Sequence, residues 1–188
     1  MTVQHFAVFD TALGACGIIW GARGIAGVQL PDVNEAATRT RIARRHPGAL
    51  EADAPPHVQR AIDGIVALLN GEPHDFGDVA LDFGNAPEFN RKVYDIALAI
   101  PPGRTMTYGE IAEQLGDKLR ARDVGTALGQ NPIPVIMPCH RVLAAGGKSG
   151  GFSGAGGVVT KLRLLSIEGA QPNGPTLFER LPLQARRG

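Results

Sequence analysis

Two segments near the start of the chain carry the pattern that predicts strands. Residues 3–9 and 17–30 are rich in β-branched and aromatic side chains, and glycines divide them with turns. Apolar residues alternate with small or polar ones over residues 79–83, which predicts one further strand. Together these segments predict a small antiparallel sheet.

Helical periodicity separates the predicted strands. Asn34 is a suitable N-cap for a helix over residues 35–46. After Pro55-Pro56, apolar residues return every three or four positions until Asn70-Gly71, which predicts a second helix with one buried face. Residues 84–87 are rich in turn formers and predict a domain boundary.

The second half is predicted to be mainly helical. A helix begins at Pro87, and Thr107 caps a short helix over residues 108–116 with Glu110 at the capping-box position. A further helix follows over residues 119–129. Two short helices joined by a tight turn form a helix-turn-helix pattern. In DNA-binding proteins with this pattern, the first residues of the second helix contact the DNA.

The fold class expected from this order is α+β. We predict an N-terminal α/β domain over residues 1–86 and a mainly helical domain over residues 87–170 with a winged-helix-like helix-turn-helix. A glycine-rich loop over residues 146–157 precedes a last helix over 158–168, and residues 171–188 form a C-terminal tail.

Charge is distributed unevenly although the formal net charge is only +1. Residues 1–86 carry six arginines and no lysine against ten acids, whereas residues 87–170 carry ten basic residues against seven acids. A polyanion would therefore be bound by the second half.

The cysteines and histidines argue against a disulfide-rich protein and against a metal-binding one. The 2 cysteines form no disulfide framework and indicate a reduced, cytoplasmic protein. The 5 histidines show no paired metal-ligand spacing, so we expect neither a metal nor a cofactor. No apolar run has the length needed to span a bilayer, and the start of the chain lacks the pattern of a signal peptide.

Pro138-Cys139-His140-Arg141 is the strongest candidate for chemistry. An apolar run precedes it, so a core segment should deliver the thiol to a pocket. A thiol becomes a nucleophile when a nearby base or cation favours its thiolate, and His140 and Arg141 are both candidates for that help. A buried cysteine on its own is more often inert packing.

Further motifs lie on both sides of Pro138-Cys139-His140-Arg141 in the sequence. The segment from Asn131 to Val142 closely resembles the active-site segment of the O6-alkylguanine-DNA alkyltransferases, also called methylated-DNA–protein-cysteine methyltransferases. The matching motifs outside that segment are Thr107-Tyr108-Gly109-Glu110, Arg122-Asp123-Val124-Gly125, Gly151-Phe152-Ser153-Gly154 and Leu164-Leu165-Ser166-Ile167-Glu168. They span about residues 87–170, whereas residues 1–86 resemble the variable N-terminal domain of the family only loosely.

This resemblance implies catalytic roles for five residues. Cys139 would accept the alkyl group irreversibly, once per protein molecule. His140 would act on it as a base through a water, and Glu168 would polarise His140. Asn131 would stabilise the turn that carries the cysteine, and Tyr108 would hydrogen-bond the flipped guanine.

The resemblance also implies how the substrate is held. Arg122 would enter the base stack in place of the flipped nucleotide. Backbone groups of Ser153, Val142 and Cys139 would contact the guanine. The full set of expected DNA-binding residues is Arg122, Tyr108, Arg120, Lys118 and Gly125, and Phe152 joins the substrate-binding set.

The partner implied is double-stranded DNA carrying O6-alkylguanine, bound by a monomer, with O4-alkylthymine left open as a second substrate. One alternative is a lesion-binding relative that flips the base without repairing it, although such proteins replace the acceptor cysteine. Others are a Cys-His hydrolase or acyltransferase and a DNA-binding regulator with a redox-sensing thiol. Asp123 follows Arg122 at a position where members of the resembled family often carry a small apolar residue, and it places a carboxylate close to the expected phosphates.

Overall fold

The computed structural model describes residues 3–170, and it begins with a sheet covered on both faces. The strands are β1 (His5–Thr11), β2 (Gly14–Gly21), β3 (Gly24–Gln29) and the short β4 (Leu50–Glu51). Their order in the sheet is β3-β2-β1-β4. The α+β class is confirmed, and residues 17–30 divide between β2 and β3 because a turn at residues 22–23 reverses the chain.

The sheet is mixed rather than purely antiparallel. β4 pairs in parallel with β1, with His5 opposite Leu50 and Phe6 opposite Glu51. The reason is the intervening helix α1 (Glu35–Arg45), which crosses the sheet and returns the chain in the direction of β1. Asn34 caps this helix as predicted, since its side chain accepts a hydrogen bond from the amide of Ala37 at 2.8 Å.

The strand predicted over residues 79–83 is wrong. Only Leu81 forms a bridge, a parallel one to Ile25. The amide of Ile25 donates to the Ala80 carbonyl at 2.9 Å and the amide of Asp82 donates to the Ile25 carbonyl at 2.7 Å. The segment therefore rests against the edge strand β3 without continuing as a ladder, and its alternating apolar residues fill the margin of the core.

Two helices cover the opposite faces of the sheet. Ile42 of α1 packs with Phe6, Ile19 and Ala26 on one face. On the other face, α2 (Pro56–Leu69) contributes a buried stripe to the main core. That core also contains Ile133, Val135, Ile136 and Leu164, so the segment that leads to Cys139 is packed against the N-terminal sheet.

The second half forms a helical core around three helices. These are α3 (Glu88–Leu98), α4 (Tyr108–Gln114) and α5 (Ala121–Gly129), and a single 3-10 turn, Lys118–Arg120, replaces the start of the helix predicted from residue 119. The capping box at Thr107 and Glu110 is present. The last helix, α6, spans Gly157–Ile167, and two short strands, β5 (Met106–Thr107) and β6 (Val142–Leu143), form a separate two-stranded sheet.

Candidate active site

A short parallel pairing assembles the site. β5 pairs with β6 so that Met106 lies opposite Val142 and Thr107 opposite Leu143. Tyr108, the first residue of α4, follows β5 directly, and it lines the same cleft as Cys139 of the 3-10 turn Cys139–Arg141 that leads into β6. Residues more than thirty positions apart in sequence are brought together by four paired residues.

The turn before the cysteine is fixed by Asn131. Its Nδ2 donates to the Met137 carbonyl at 2.9 Å and to Cys139 Sγ at 3.2 Å, and its Oδ1 accepts from the Ile133 amide at 2.9 Å. Val135 within this turn has φ 76°, which is strained for a β-branched residue. One amide side chain thus ties the strained turn to the sulfur.

The thiol of Cys139 is mostly buried but reaches a cleft. The residue is 7% exposed, and it lines a cleft of about 610 Å³ together with residues of α4, α5 and the glycine-rich loop. Burial raises the pKa of the Cys139 thiol, and the Asn131 hydrogen bond and the Lys161 charge oppose that rise only in part. Burial therefore favours the neutral thiol over the thiolate.

His140, the next residue in the chain, is buried against Glu168. Its ring is fully buried, and its Nε2 lies 2.9 Å from Glu168 Oε1. Burial lowers the pKa of His140, and the Glu168 carboxylate opposes this only in part. A neutral ring that donates from Nε2 to Glu168 leaves Nδ1 as an acceptor, and Nδ1 is buried without a hydrogen-bond partner among residues 3–170.

Glu168 is held in its charged form by two partners. Arg141 donates from Nε to Oε2 at 2.9 Å and from Nη2 to Oε1 at 2.8 Å, and its Nη1 donates to the Ile100 carbonyl at 2.5 Å. Burial would raise the pKa of Glu168, but the hydrogen bonds from His140 and Arg141 outweigh it and lower the pKa to about 2. The Arg141 guanidinium therefore binds the carboxylate rather than assisting the thiol.

Lys161 is a buried cation that the sequence analysis missed. It is 0% exposed, and its Nζ donates to the Val142 carbonyl at 2.6 Å, the Gly151 carbonyl at 3.2 Å and Tyr108 Oη at 3.4 Å. Burial lowers the pKa of Lys161 to about 8. The missed signal was its spacing, since Lys161 lies three and four positions before the buried Leu164 and Leu165 and so on their face of α6.

Tyr108 and the glycine-rich loop form one wall of the cleft. Tyr108 Oη lies 3.5 Å from the Gly151 carbonyl, and burial raises the pKa of its hydroxyl. Gly150 has φ +65°, and a Cβ there would lie 2.5 Å from Tyr108 Oη, so this close approach requires glycine. Phe152 and Ser153 line the same cleft.

Helix α5 forms the facing wall. Arg122 and Gly125 both line the cleft, and a Cβ at Gly125 would only touch the Tyr108 ring, 3.9 Å from Cε1. Lys118 and Arg120 lie outside the cleft, on the exposed turn between α4 and α5. Six of the predicted site residues thus line the cleft, namely Tyr108, Cys139, Arg122, Gly125, Phe152 and Ser153. The other buried ones lie outside its lining: Asn131 bonds to Cys139, His140 to Glu168, and the Val142 carbonyl to Lys161. Lys118 and Arg120 remain on the neighbouring surface.

Two properties of the described chain bear on other classes of protein. No helix within residues 3–170 is long and apolar enough to cross a membrane. The same residues contain no group of three or more His, Cys, Asp or Glu side chains arranged to hold a metal ion.

Comparison with known proteins points to one family. Residues 88–170 match the model for the 6-O-methylguanine DNA methyltransferase, DNA binding domain. The chain is 34% identical over 158 residues to a methylated-DNA–protein-cysteine methyltransferase of Methanothermobacter thermautotrophicus, an alignment that covers 84% of this chain and 81% of the relative.

A solved structure and a second kind of relative are also similar. The crystal structure of Mycobacterium tuberculosis OGT in complex with DNA superposes with a TM-score of 0.71 at 33% identity, covering 88% of this chain and 92% of that one. A DNA base-flipping protein of Thermus thermophilus is 39% identical over 111 residues, covering 59% of this chain and 73% of the relative.

Proposed function

Because the chain belongs to the methylated-DNA–protein-cysteine methyltransferase family, we propose that it repairs O6-alkylguanine in double-stranded DNA by transferring the alkyl group irreversibly to Cys139. The observation that carries the proposal is the Cys139 thiol in the lining of a cleft, followed in the chain by His140, which is buried against Glu168. Each protein molecule reacts once, since the thioether product is stable.

The reaction first requires that the Cys139 thiol lose its proton. His140 Nδ1 is the free acceptor of a ring whose other nitrogen is engaged by Glu168. A water between Sγ and Nδ1 would carry the proton from sulfur to imidazole, and the Glu168 carboxylate would stabilise the imidazolium that forms. The Arg141 hydrogen bonds keep Glu168 ionised for this purpose.

Alkyl transfer is then a displacement at carbon. The Cys139 thiolate forms a bond to the alkyl carbon while the bond from that carbon to O6 breaks, and the electron pair remains on the guanine. The Tyr108 hydroxyl and the Ser153 amide would donate to the developing anion, because both residues line the cleft. The guanine finally takes up the proton released from the sulfur.

The substrate base must leave the duplex before it reaches the thiol. Unstacking costs a few kcal/mol, and an inserted side chain offsets part of it. Arg122, at the start of α5 and at the rim of the same cleft, would fill the gap in the stack. The Val142 carbonyl already accepts from Lys161, but a carbonyl has two lone pairs and so can also accept from the exocyclic amine of guanine.

The division of the chain and its cellular location are parts of the proposal. A DNA-binding and transfer domain over residues 87–170 is supported by a family model that begins at residue 88. The N-terminal domain over residues 1–86 would brace it, and the tail over residues 171–188 lies outside the described residues. A cytoplasmic location and a monomeric state rest on the cysteine content and on the lack of a dimerisation helix in the sequence.

The test compares the two cysteines of the chain. Duplex DNA carrying labelled O6-methylguanine is incubated with the wild type and with Cys139→Ala and Cys16→Ala variants. Cys16 is fully buried, and burial raises the pKa of its thiol to about 11, so it is a matched control. We expect label on the wild type and on Cys16→Ala but none on Cys139→Ala.

The main alternative predicts a different result from the same experiment. A lesion-binding protein that flips the base without repair would bind the methylated duplex and leave the label on the DNA. A similar result with all three proteins, binding without transfer, would support this alternative.

A further inference from the structure

Three basic residues lie on the turn between α4 and α5 and on the first turn of α5, and two of them are paired with carboxylates. Lys118 Nζ lies 3.9 Å from Glu113 Oε2, and Arg120 Nε donates to Asp123 Oδ2 at 2.8 Å. Arg122 is the one of the three that makes no ion pair with any residue of 3–170. Two of the three cations that would meet DNA phosphates are therefore already matched with carboxylates.

Arg120 is held from two sides. Its guanidinium carbon lies 3.8 Å from the centroid of the Phe89 ring, a cation–π contact. Phe89 belongs to α3 and packs partly buried against the helical core, and Asp123 belongs to the first turn of α5. Because both partners lie on helices that the same core fixes, the position of the Arg120 side chain is set by the folded protein before any ligand arrives.

Asp123 is the unexpected member of this cluster. A carboxylate in the first turn of α5 is favourable for the helix, since it faces the positive end of the helix dipole. The same residue follows Arg122 directly, on the surface proposed to face a DNA backbone. A negative side chain there opposes phosphate binding both by its own charge and by occupying a neighbouring cation.

We propose that Asp123 limits the affinity of this protein for DNA by holding Arg120 against Phe89 and away from the phosphates. This inference rests on the proposed function, because it assumes that the turn between α4 and α5 meets a duplex. Asp123 acts through Arg120 and weakens binding to the sugar–phosphate backbone. The effect on affinity is therefore independent of base sequence and of damage.

The proposal is tested by a double-mutant cycle with undamaged duplex DNA. Binding is measured over a series of salt concentrations for the wild type, Asp123→Asn, Arg120→Gln and the double variant. We expect Asp123→Asn to tighten binding about twofold to fivefold, the scale of an exposed ion pair. Release of one cation to one phosphate should also steepen the logarithmic salt dependence by about 0.9.

The decisive comparison is between the effect of Asp123→Asn in the wild-type background and its effect in the Arg120→Gln background. With Arg120→Gln already present, Asp123→Asn should tighten binding clearly less than in the wild type, because only the direct repulsion by Asp123 remains to be removed. An Asp63→Asn variant on α2 makes the same change in charge at an exposed site far in sequence, and it should leave the affinity unchanged. Thermal unfolding of each variant verifies that it is folded.

Equal tightening in both backgrounds would show direct repulsion by Asp123 and would overturn the proposed role of Arg120. No tightening in either background would overturn it as well, and a failure of all four proteins to bind duplex DNA would overturn both this inference and the proposed function. If the wild type accepts no methyl group and yet Asp123→Asn tightens binding clearly more with Arg120 present than without it, the proposed function fails and this inference stands.

Discussion

Replacement of Glu168 by glutamine tests the buried network that supports His140. The glutamate side chain is 3% exposed and that of Arg141 is 6% exposed, so neither charge has water to replace a lost partner. Glu168→Gln preserves the size of the side chain but removes its charge, and the new amide NH₂ faces groups that are themselves donors. The change therefore leaves the buried Arg141 guanidinium without a counter-charge and His140 without its carboxylate partner.

The expected loss in the free energy of unfolding of Glu168→Gln can be worked out in two ways. A Glu168 pKa of about 2 in place of the ordinary glutamate value of 4.5 corresponds to about 3 kcal/mol of stability at neutral pH. Removal of one partner from a buried ion pair costs about 3–5 kcal/mol. We therefore expect a loss of about 3 kcal/mol in the free energy of unfolding, or a fall in Tm of about 6–12 °C, and transfer slower by about 100-fold.

The pH dependence gives a sharper check. Because the folded-state pKa of Glu168 is depressed, its contribution is fully present above the unfolded value of 4.5 and is lost as the pH falls towards 2. Chemical denaturation at a series of pH values should show this loss in the wild type and a smaller loss in Glu168→Gln. Glu35→Gln, at an exposed ion pair with Arg39, is the control and should cost at most about 0.5 kcal/mol. A variant as stable as the control, with unchanged pH dependence, would refute the reasoning.

Three further predictions concern the reaction itself. Because His140 is the proposed base and burial lowers its pKa from the ordinary value of 6.5, single-turnover transfer should be nearly constant from pH 8 down to 6.5 and fall only below that. A rate that rises steeply between pH 7 and 8, as for an unassisted thiol, would contradict the proposed role of His140. Lys161→Met removes the donor to Val142, Gly151 and Tyr108, so hydrogen exchange in the loop should speed up and transfer should slow at least about tenfold; unchanged exchange would show that Lys161 does not hold the loop. Arg122→Ala should reduce base flipping, followed with a fluorescent base analogue, more than duplex affinity, and equal losses would argue against its insertion into the stack.

Local signals in the sequence were sufficient for most of the helices. Asn34 and the pair Thr107 and Glu110 cap their helices with short-range hydrogen bonds, so the residues that form them are neighbours in the chain. The strand predicted over residues 79–83 failed because a ladder requires a partner with free backbone groups along its whole length. The segment pairs with β3 only at Ile25, and the Val28 amide of β3 donates instead to the Pro132 carbonyl.

The site was only partly predictable for a related reason. Motif order placed Cys139, His140 and Glu168 together, and the structure puts Glu168 in contact with His140. The roles of Arg141 and Lys161 depend on carbonyls and carboxylates supplied by distant segments, such as Ile100 and Gly151. A lysine on a helix is usually exposed, and only its spacing from Leu164 and Leu165 marks Lys161 as buried.

Intact-mass measurement of the wild-type protein after exposure to duplex DNA with O6-methylguanine tests the central claim most directly. Transfer predicts a gain of about 14 Da, one methylene unit, that saturates at one per chain and maps to the peptide containing Cys139. A protein that binds the methylated duplex and keeps its original mass, or that gains the group at another residue, would contradict the account.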